Sequence, residues 1–210
     1  MRVKICGITQ AEQGQAIAAL GATALGFICV ERSPRYINAQ KIQPIIQTLP
    51  TTVDSIGVFA NASLTDIEGV LKVAQLTAIQ LHGEETPEFC TQVKQLFPHL
   101  EIIKAFRIKT SKSLVNICEY VEVIDTLLLD AYDPHQLGGT GKTLNWDLLR
   151  NFHPGRPWFL AGGLTPDNVL HALEGLSPDG IDLSSGVERS PGDKDILKVT
   201  QLLENLRKIN

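Results

Sequence analysis

Eight short apolar runs alternate with eight amphipathic stretches along the 210 residues of this chain, and that alternation restricts its fold more than any other feature. The runs are Val3–Cys6, Ala24–Val30, Ser55–Phe59, Ala78–Leu81, Ile102–Phe106, Thr126–Asp130, Trp158–Ala161 and Gly180–Ser184. They are brief and rich in Ile, Val, Leu and Phe, as strands buried on both faces of a parallel sheet must be. Between them, helices are predicted over Ala11–Leu20 behind Thr9, Ala39–Leu49 behind Asn38, and Leu64–Ala74 behind Ser63. Thr86-Pro87 and Thr165-Pro166 each set a capping residue before a proline at the first helical position, which starts helices over Pro87–Phe97 and Pro166–Leu173. Ser113–Tyr120 and Trp146–Arg150 carry weaker patterns, and Ile196–Ile209 closes the chain with apolar residues at helical spacing.

Alternating β and α segments imply a parallel sheet with right-handed crossovers. Eight such units favour a closed ring over an open, doubly wound sheet, and the chain length lies near the lower end of the range for that ring. The expected fold class is therefore α/β, a single (β/α)8 TIM barrel. No Gly/Ser-rich or charged linker interrupts residues 1–210, so one catalytic domain is expected. The two longest connections on the C-terminal side of the strands are Glu31–Asn38 and Ala131–Asn145. That side carries the chemistry in this architecture.

Composition removes several function classes. The formal net charge is −4, with no basic stripe, so nucleic acid is not an expected partner. No apolar run reaches the roughly 18 residues of a membrane span, and Met1–Gly7 lacks the apolar region of a signal peptide. A cytoplasmic protein without membrane contact is expected, and no obligate protein partner is indicated. Cys6, Cys29, Cys90 and Cys118 are scattered, which reads as reduced thiols rather than a disulfide frame. Neither they nor the five histidines cluster as metal ligands, so no metal is expected.

Strand alternation sharpens the reading, because successive side chains face opposite sides. Directing Val3, Ile5, Ile79, Leu81, Leu127, Leu129, Ile181 and Leu183 toward the helices turns Lys4, Cys6, Gln80, His82, Asp130, Asp182 and Ser184 inward. Polar groups inside a barrel are costly unless paired or used. Lys4 and Asp182 lie on strands that adjoin in a closed ring and should pair. The positive charge of Lys4 should also favour the thiolate of Cys6, two residues along the same face. Taken alone, Cys6 reads as a small core residue, and its place at the end of the first strand, just before Gly7, makes the catalytic reading equally good. A carboxyl ending the run Leu127-Leu128-Leu129-Asp130 is poorly solvated, which suits a general acid, or else a loop cap or ion-pair partner. His82 suits a catalytic base or, preferably, a supporting role.

Ala161-Gly162-Gly163-Leu164 and Ser184-Ser185-Gly186-Val187 follow the seventh and eighth strands, where barrels of this kind hold phosphate on exposed N–H groups. Gly162, Gly163, Ser185 and Gly186 are the expected phosphate-binding residues. Gly138-Gly139-Thr140-Gly141-Lys142-Thr143 approaches a nucleotide-binding P-loop, but Gln136 stands where its first glycine belongs. A glycine-rich lid is the better reading there. Arg35, in the loop after the second strand, reads as a solvated arginine or as a bidentate clamp for a substrate carboxylate.

Taken in order, Lys4-Ile5-Cys6-Gly7-Ile8-Thr9, Ser33-Pro34-Arg35-Tyr36, Gln80-Leu81-His82-Gly83, Leu129-Asp130, Gly138-Gly139-Thr140-Gly141, Ala161-Gly162-Gly163-Leu164 and Asp182-Leu183-Ser184-Ser185-Gly186-Val187-Glu188 resemble the phosphoribosylanthranilate isomerases of tryptophan biosynthesis. The resemblance runs from residue 4 to about residue 195. It implies a cofactor-free Amadori rearrangement of a phosphorylated small molecule, with Cys6 as general base and Asp130 as general acid. It also implies that Arg35 binds the substrate carboxylate, and that the two glycine-bearing loops hold phosphate. The alternatives are sibling phosphate-binding barrels. Indole-glycerol-phosphate synthase would want catalytic Lys and Glu, and a sugar-phosphate epimerase would want inward metal-binding His and Asp. A P-loop-like nucleotide-binding module is the non-enzyme alternative.

Overall fold

A computed structural model describes residues 1–131 and 143–209. The parallel strands β1 (Arg2–Cys6), β2 (Ala24–Ile28), β3 (Asp54–Phe59), β4 (Ala78–Leu81), β5 (Glu101–Ile108), β6 (Thr126–Ala131), β7 (Trp158–Leu160) and β8 (Gly180–Leu183) close into a barrel in sequence order. Strand β8 returns to β1 with Lys4 opposite Asp182. This is the (β/α)8 TIM barrel expected from the alternation. The Gly-rich segment Gly138–Thr143, read as a lid, lies almost entirely outside the described residues.

Two apolar cores sit on opposite sides of the strand wall. Inside the barrel, Ile56, Ile103, Leu128 and Phe159 interdigitate with Ala24, Ala78, Ala105 and Ala161. The four bulky and four small side chains share a tapering space that bulky residues alone would overfill. Val3, Ile5, Ile79, Leu81, Leu127, Leu129, Ile181 and Leu183 belong to the outer core, packed beneath the helices. Strand alternation therefore sorts the two faces as expected. At the N-terminal end of the barrel, the Arg2 guanidinium lies 4.9 Å from the Phe159 ring centre and binds Glu101 and Asp54 at 2.7 and 2.8 Å. That end is plugged.

Helices α1 (Ala11–Leu20), α2 (Ala39–Gln47), α3 (Leu64–Val73), α4 (Pro87–Leu96), α5 (Val169–Leu173) and α6 (Ile196–Arg207) fall where the apolar periodicity put them. Asn38, Ser63 and Thr86 accept backbone N–H groups as caps, and Ser63 completes a capping box with Asp66. One expected cap fails for a physical reason. The Thr9 hydroxyl donates to the Gly192 carbonyl at 2.6 Å, so α1 begins behind Gln10 without a side-chain cap. Thr165 accepts the Asn168 N–H at 3.2 Å and donates its own N–H to Asn168 at 2.8 Å, so the expected cap forms, over a turn that precedes α5 at Val169. The two weakest patterns are 3-10 helices, Ser111–Glu119 and Trp146–Leu149.

A hairpin of β9 (Glu188–Ser190) and β10 (Asp193–Lys194) was not expected from the sequence. It is pinned to α1 through Gln13, whose amide donates to Asp193 at 2.7 Å and accepts from the Lys194 N–H at 2.8 Å. This carries Lys194 back to the C-terminal end of β1.

Candidate active site

Cys6 ends β1 and Asp130 lies next to the end of β6, so the barrel sets both at its C-terminal side. Both are buried. The thiol has room only because β2 carries glycine beside it: a Cβ on Gly26 would stand 2.7 Å from Cys6 Sγ. No hydropathy pattern distinguishes that glycine from an ordinary strand residue. It becomes legible once the register sets Cys6 against Gly26.

Lys4 and Asp182 pair as expected, at 3.0 Å, with their side chains 0 % and 9 % exposed. Burial opposes the Lys4 charge, but Asp182 and Cys6 outweigh it and hold its pKa above the ordinary lysine value. Lys4 favours the Cys6 thiolate, as expected, but it does not bring the thiol below its ordinary range. Burial pushes the thiol up, Asp182 adds to the rise, and the downward pull of Lys4 and Lys194 does not offset them. The thiol is therefore the resting form at neutral pH. Breaking the pair leaves a buried charge without compensation, so Asp182→Asn should lose about 3–5 kcal/mol of stability. Urea unfolding checks this, and a loss below about 1 kcal/mol would show that Lys4 finds another partner.

Asp130 receives the Ala131 N–H on Oδ1 at 2.8 Å, which leaves Oδ2 toward His82. His82 Nε2 lies 3.3 Å from that oxygen, near enough for an ion pair but off the direction of a hydrogen bond. On the other side of the ring, the Gln80 amide nitrogen is 2.7 Å from His82 Nδ1. With the amide donating, the histidine proton resides on Nε2, the nitrogen nearer the carboxyl. The structure thus brings Gln80, His82 and Asp130 into one row. Lys104 steadies the corner beyond it, donating to the carbonyls of Leu81 and Gly83 and pairing with Glu85 at 3.0 Å.

Arg35 is not a solvated loop residue. It is buried, and its Nε and Nη2 hold the Glu188 carboxylate at 2.7–3.1 Å. Burial works against the Glu188 charge, but Arg35 and Lys194 hold its pKa below the usual carboxylate range. One edge of the guanidinium is therefore taken, and Nη1 has no protein partner among the described residues. Sequence reasoning gave no role to Glu188 or Lys194. Charged residues in a short loop ordinarily face solvent, and only the hairpin turns these two inward.

The two glycine-bearing loops meet. A Cβ on Gly186 would stand 1.9 Å from the Leu164 carbonyl oxygen, so no other residue fits there. Gly162 and Gly163 both have positive φ, +86° and +67°, which turns the chain sharply after β7. Among the described residues, the N–H groups of Gly163, Ser185 and Gly186 have no backbone partner. Such a cluster suits an anion. No group of three or more His, Cys, Asp or Glu that could hold a metal occurs among the described residues.

Residues 3–205 match the family model of N-(5'-phosphoribosyl)anthranilate isomerase. A protein of that name from Rippkaea orientalis is 63% identical over 210 residues, covering 100% of this chain and 98% of its own. A phosphoribosyl anthranilate isomerase structure from Thermotoga maritima superposes with a TM-score of 0.91 at 36% identity, over 99% of each chain. Another isomerase structure, in complex with reduced 1-(o-carboxyphenylamino)-1-deoxyribulose 5-phosphate, gives a TM-score of 0.86 at 34% identity, again over 99% of each chain. With its barrel, its paired glycine loops and this likeness along its whole length, the chain belongs to the N-(5'-phosphoribosyl)anthranilate isomerase family, isomerases of tryptophan biosynthesis.

Proposed function

We propose that this chain, as one cytoplasmic barrel domain, converts N-(5-phosphoribosyl)anthranilate to 1-(2-carboxyphenylamino)-1-deoxyribulose 5-phosphate by general acid–base catalysis. Asp130 gives its proton to the furanose ring oxygen. The C1–O bond breaks as the anilino nitrogen lone pair forms a protonated Schiff base. Cys6, as thiolate, takes the proton from C2, and the released electron pair returns to nitrogen to form an enolamine. A proton shift from O2 to C1 then yields the ketone. The nitrogen of the substrate is itself the electron sink, so this route calls on no metal or organic cofactor.

The observation that carries this reading is the placement of Cys6 and Asp130 on inward positions at one end of the barrel, beside a cluster of open backbone donors. The phosphate is assigned to Gly162, Gly163, Ser185 and Gly186. His82 supports Asp130, while Lys4 and Asp182 set the charge beneath Cys6. Adding pure enzyme to the fluorescent anthranilate substrate, with a chelator present, should extinguish its fluorescence at a rate proportional to enzyme. Unchanged fluorescence would overturn the assignment.

Arg35 is assigned to the substrate carboxylate through its Nη1 edge, with Glu188 holding the other. A charge-assisted contact of this kind contributes about 1.5–3 kcal/mol. Arg35→Ala should therefore raise KM by roughly ten- to a hundredfold. Steady-state kinetics across substrate concentration check this, and an unchanged KM would remove the clamp.

A further inference from the structure

Lys194 takes no part in the reaction derived above, yet its side chain is 0 % exposed. Its Nζ lies 2.5 Å from the Cys6 carbonyl oxygen, 2.7 Å from Glu188 Oε1 and 3.4 Å from the Ser184 carbonyl. Glu188 grips Arg35 from its other side. One carboxylate thus stands between two cations, and one of those cations is fastened to the backbone of Cys6. A role in stability alone explains this poorly, because buried ion pairs are weak stabilisers against apolar replacements.

We propose that Lys194 is a positioning residue acting through Cys6, which it ties to the Arg35–Glu188 clamp while supplying the charge that favours the thiolate. The proposal rests on Cys6 being the base. The charged and titratable groups that act on its sulfur are Lys4 from β1, Asp182 from β8, Lys194 from β10 and Cys29 just beyond β2. Arg35 and Glu188 stand behind Lys194. Lys4 with Asp182 is neutral as a pair, and so is Arg35 with Glu188. Lys194 is the cation left over, and it adds to the pull of Lys4, which already exceeds the opposing effect of Asp182 at the sulfur. Burial opposes its charge and lowers its pKa, while Glu188 and Cys6 work to retain it.

The test is an ultraviolet titration of the Cys6 thiolate, taken as the difference from Cys6→Ser, alongside kcat/KM against pH. If a thiolate acts together with a protonated acid, the active form is a constant minor fraction on the acid side of the thiol titration. Raising the thiol titration then lowers the plateau and moves its alkaline limb up by equal amounts. Lys194→Met should raise the Cys6 midpoint by about one pH unit and lower the kcat/KM plateau roughly tenfold. Lys194→Arg, which keeps the charge, should restore the midpoint. Glu188→Gln, which removes the opposing charge, should move it downward. A folded Lys194→Met with an unmoved midpoint overturns the proposal. If Lys194→Met does not fold, an unmoved midpoint in Glu188→Gln overturns it instead. The titration does not depend on turnover, so it is independent of the base assignment, which fails separately if Cys6→Ser retains activity.

Discussion

Cys6→Ser should lower kcat by about two to four orders of magnitude while KM stays within a few-fold. Serine preserves the size of the side chain and, with it, the fit against Gly26, so the fold and the bound geometry persist. What changes is acidity. A serine hydroxyl does not reach its anion at any pH the protein survives, even between Lys4 and Lys194, and so cannot take the C2 proton. A residue needed only for packing would show the reverse pattern, with lower stability and near-normal turnover. Single-turnover fluorescence measurements separate the two, and near-normal turnover in Cys6→Ser would end the case for this base. The elevated Cys6 titration adds a pH signature with a definite sign. Above the thiol pKa the thiolate fraction is full, and further deprotonation only depletes the acid. The alkaline limb of kcat/KM should therefore lie above the ordinary thiol value of about 8.5.

Asp130→Asn should produce a loss of similar size, again with little change in KM. The amide is nearly isosteric and can still accept the Ala131 N–H, while its NH2 group calls for the His82 tautomer with Nε2 unprotonated. It cannot give a proton to the ring oxygen, so the furanose stays closed and the base has no activated C2 proton to remove. This suggests a diagnostic comparison. If ring opening alone is blocked, a substrate analogue already open should react in Asp130→Asn far faster than the closed substrate does. Equal impairment with both substrates would place Asp130 at a later step. Retained turnover of the natural substrate would remove it from the mechanism.

The limits of reading this chain one residue at a time show at particular places. Lys4 and Asp182 were legible as a pair because strand parity and closure of the ring decide their positions without reference to side-chain detail. His82 was legible as inward-facing for the same reason, but its row with Gln80 and Asp130 joins β4 to β6 and depends on distances that no pattern encodes. Thr9 was misread as a cap because its hydroxyl is taken by Gly192, a residue far along the chain. Arg35 shows the same limit. Its loop context suggests solvent, and its burial follows only from Glu188 arriving on a hairpin 153 residues away.

The alternation of apolar runs and amphipathic stretches, together with the parity of each strand, was enough by itself to determine a closed parallel barrel and the residues lining its interior. Both follow from local periodicity, which every segment expresses independently of its neighbours. The tertiary structure alone decided the net effect of burial and charge on Cys6. The balance between burial and two lysines depends on low-dielectric surroundings and on contacts between distant segments. The same is true of the union of Arg35, Glu188 and Lys194, which exists only because the β9–β10 hairpin folds back onto the end of β1.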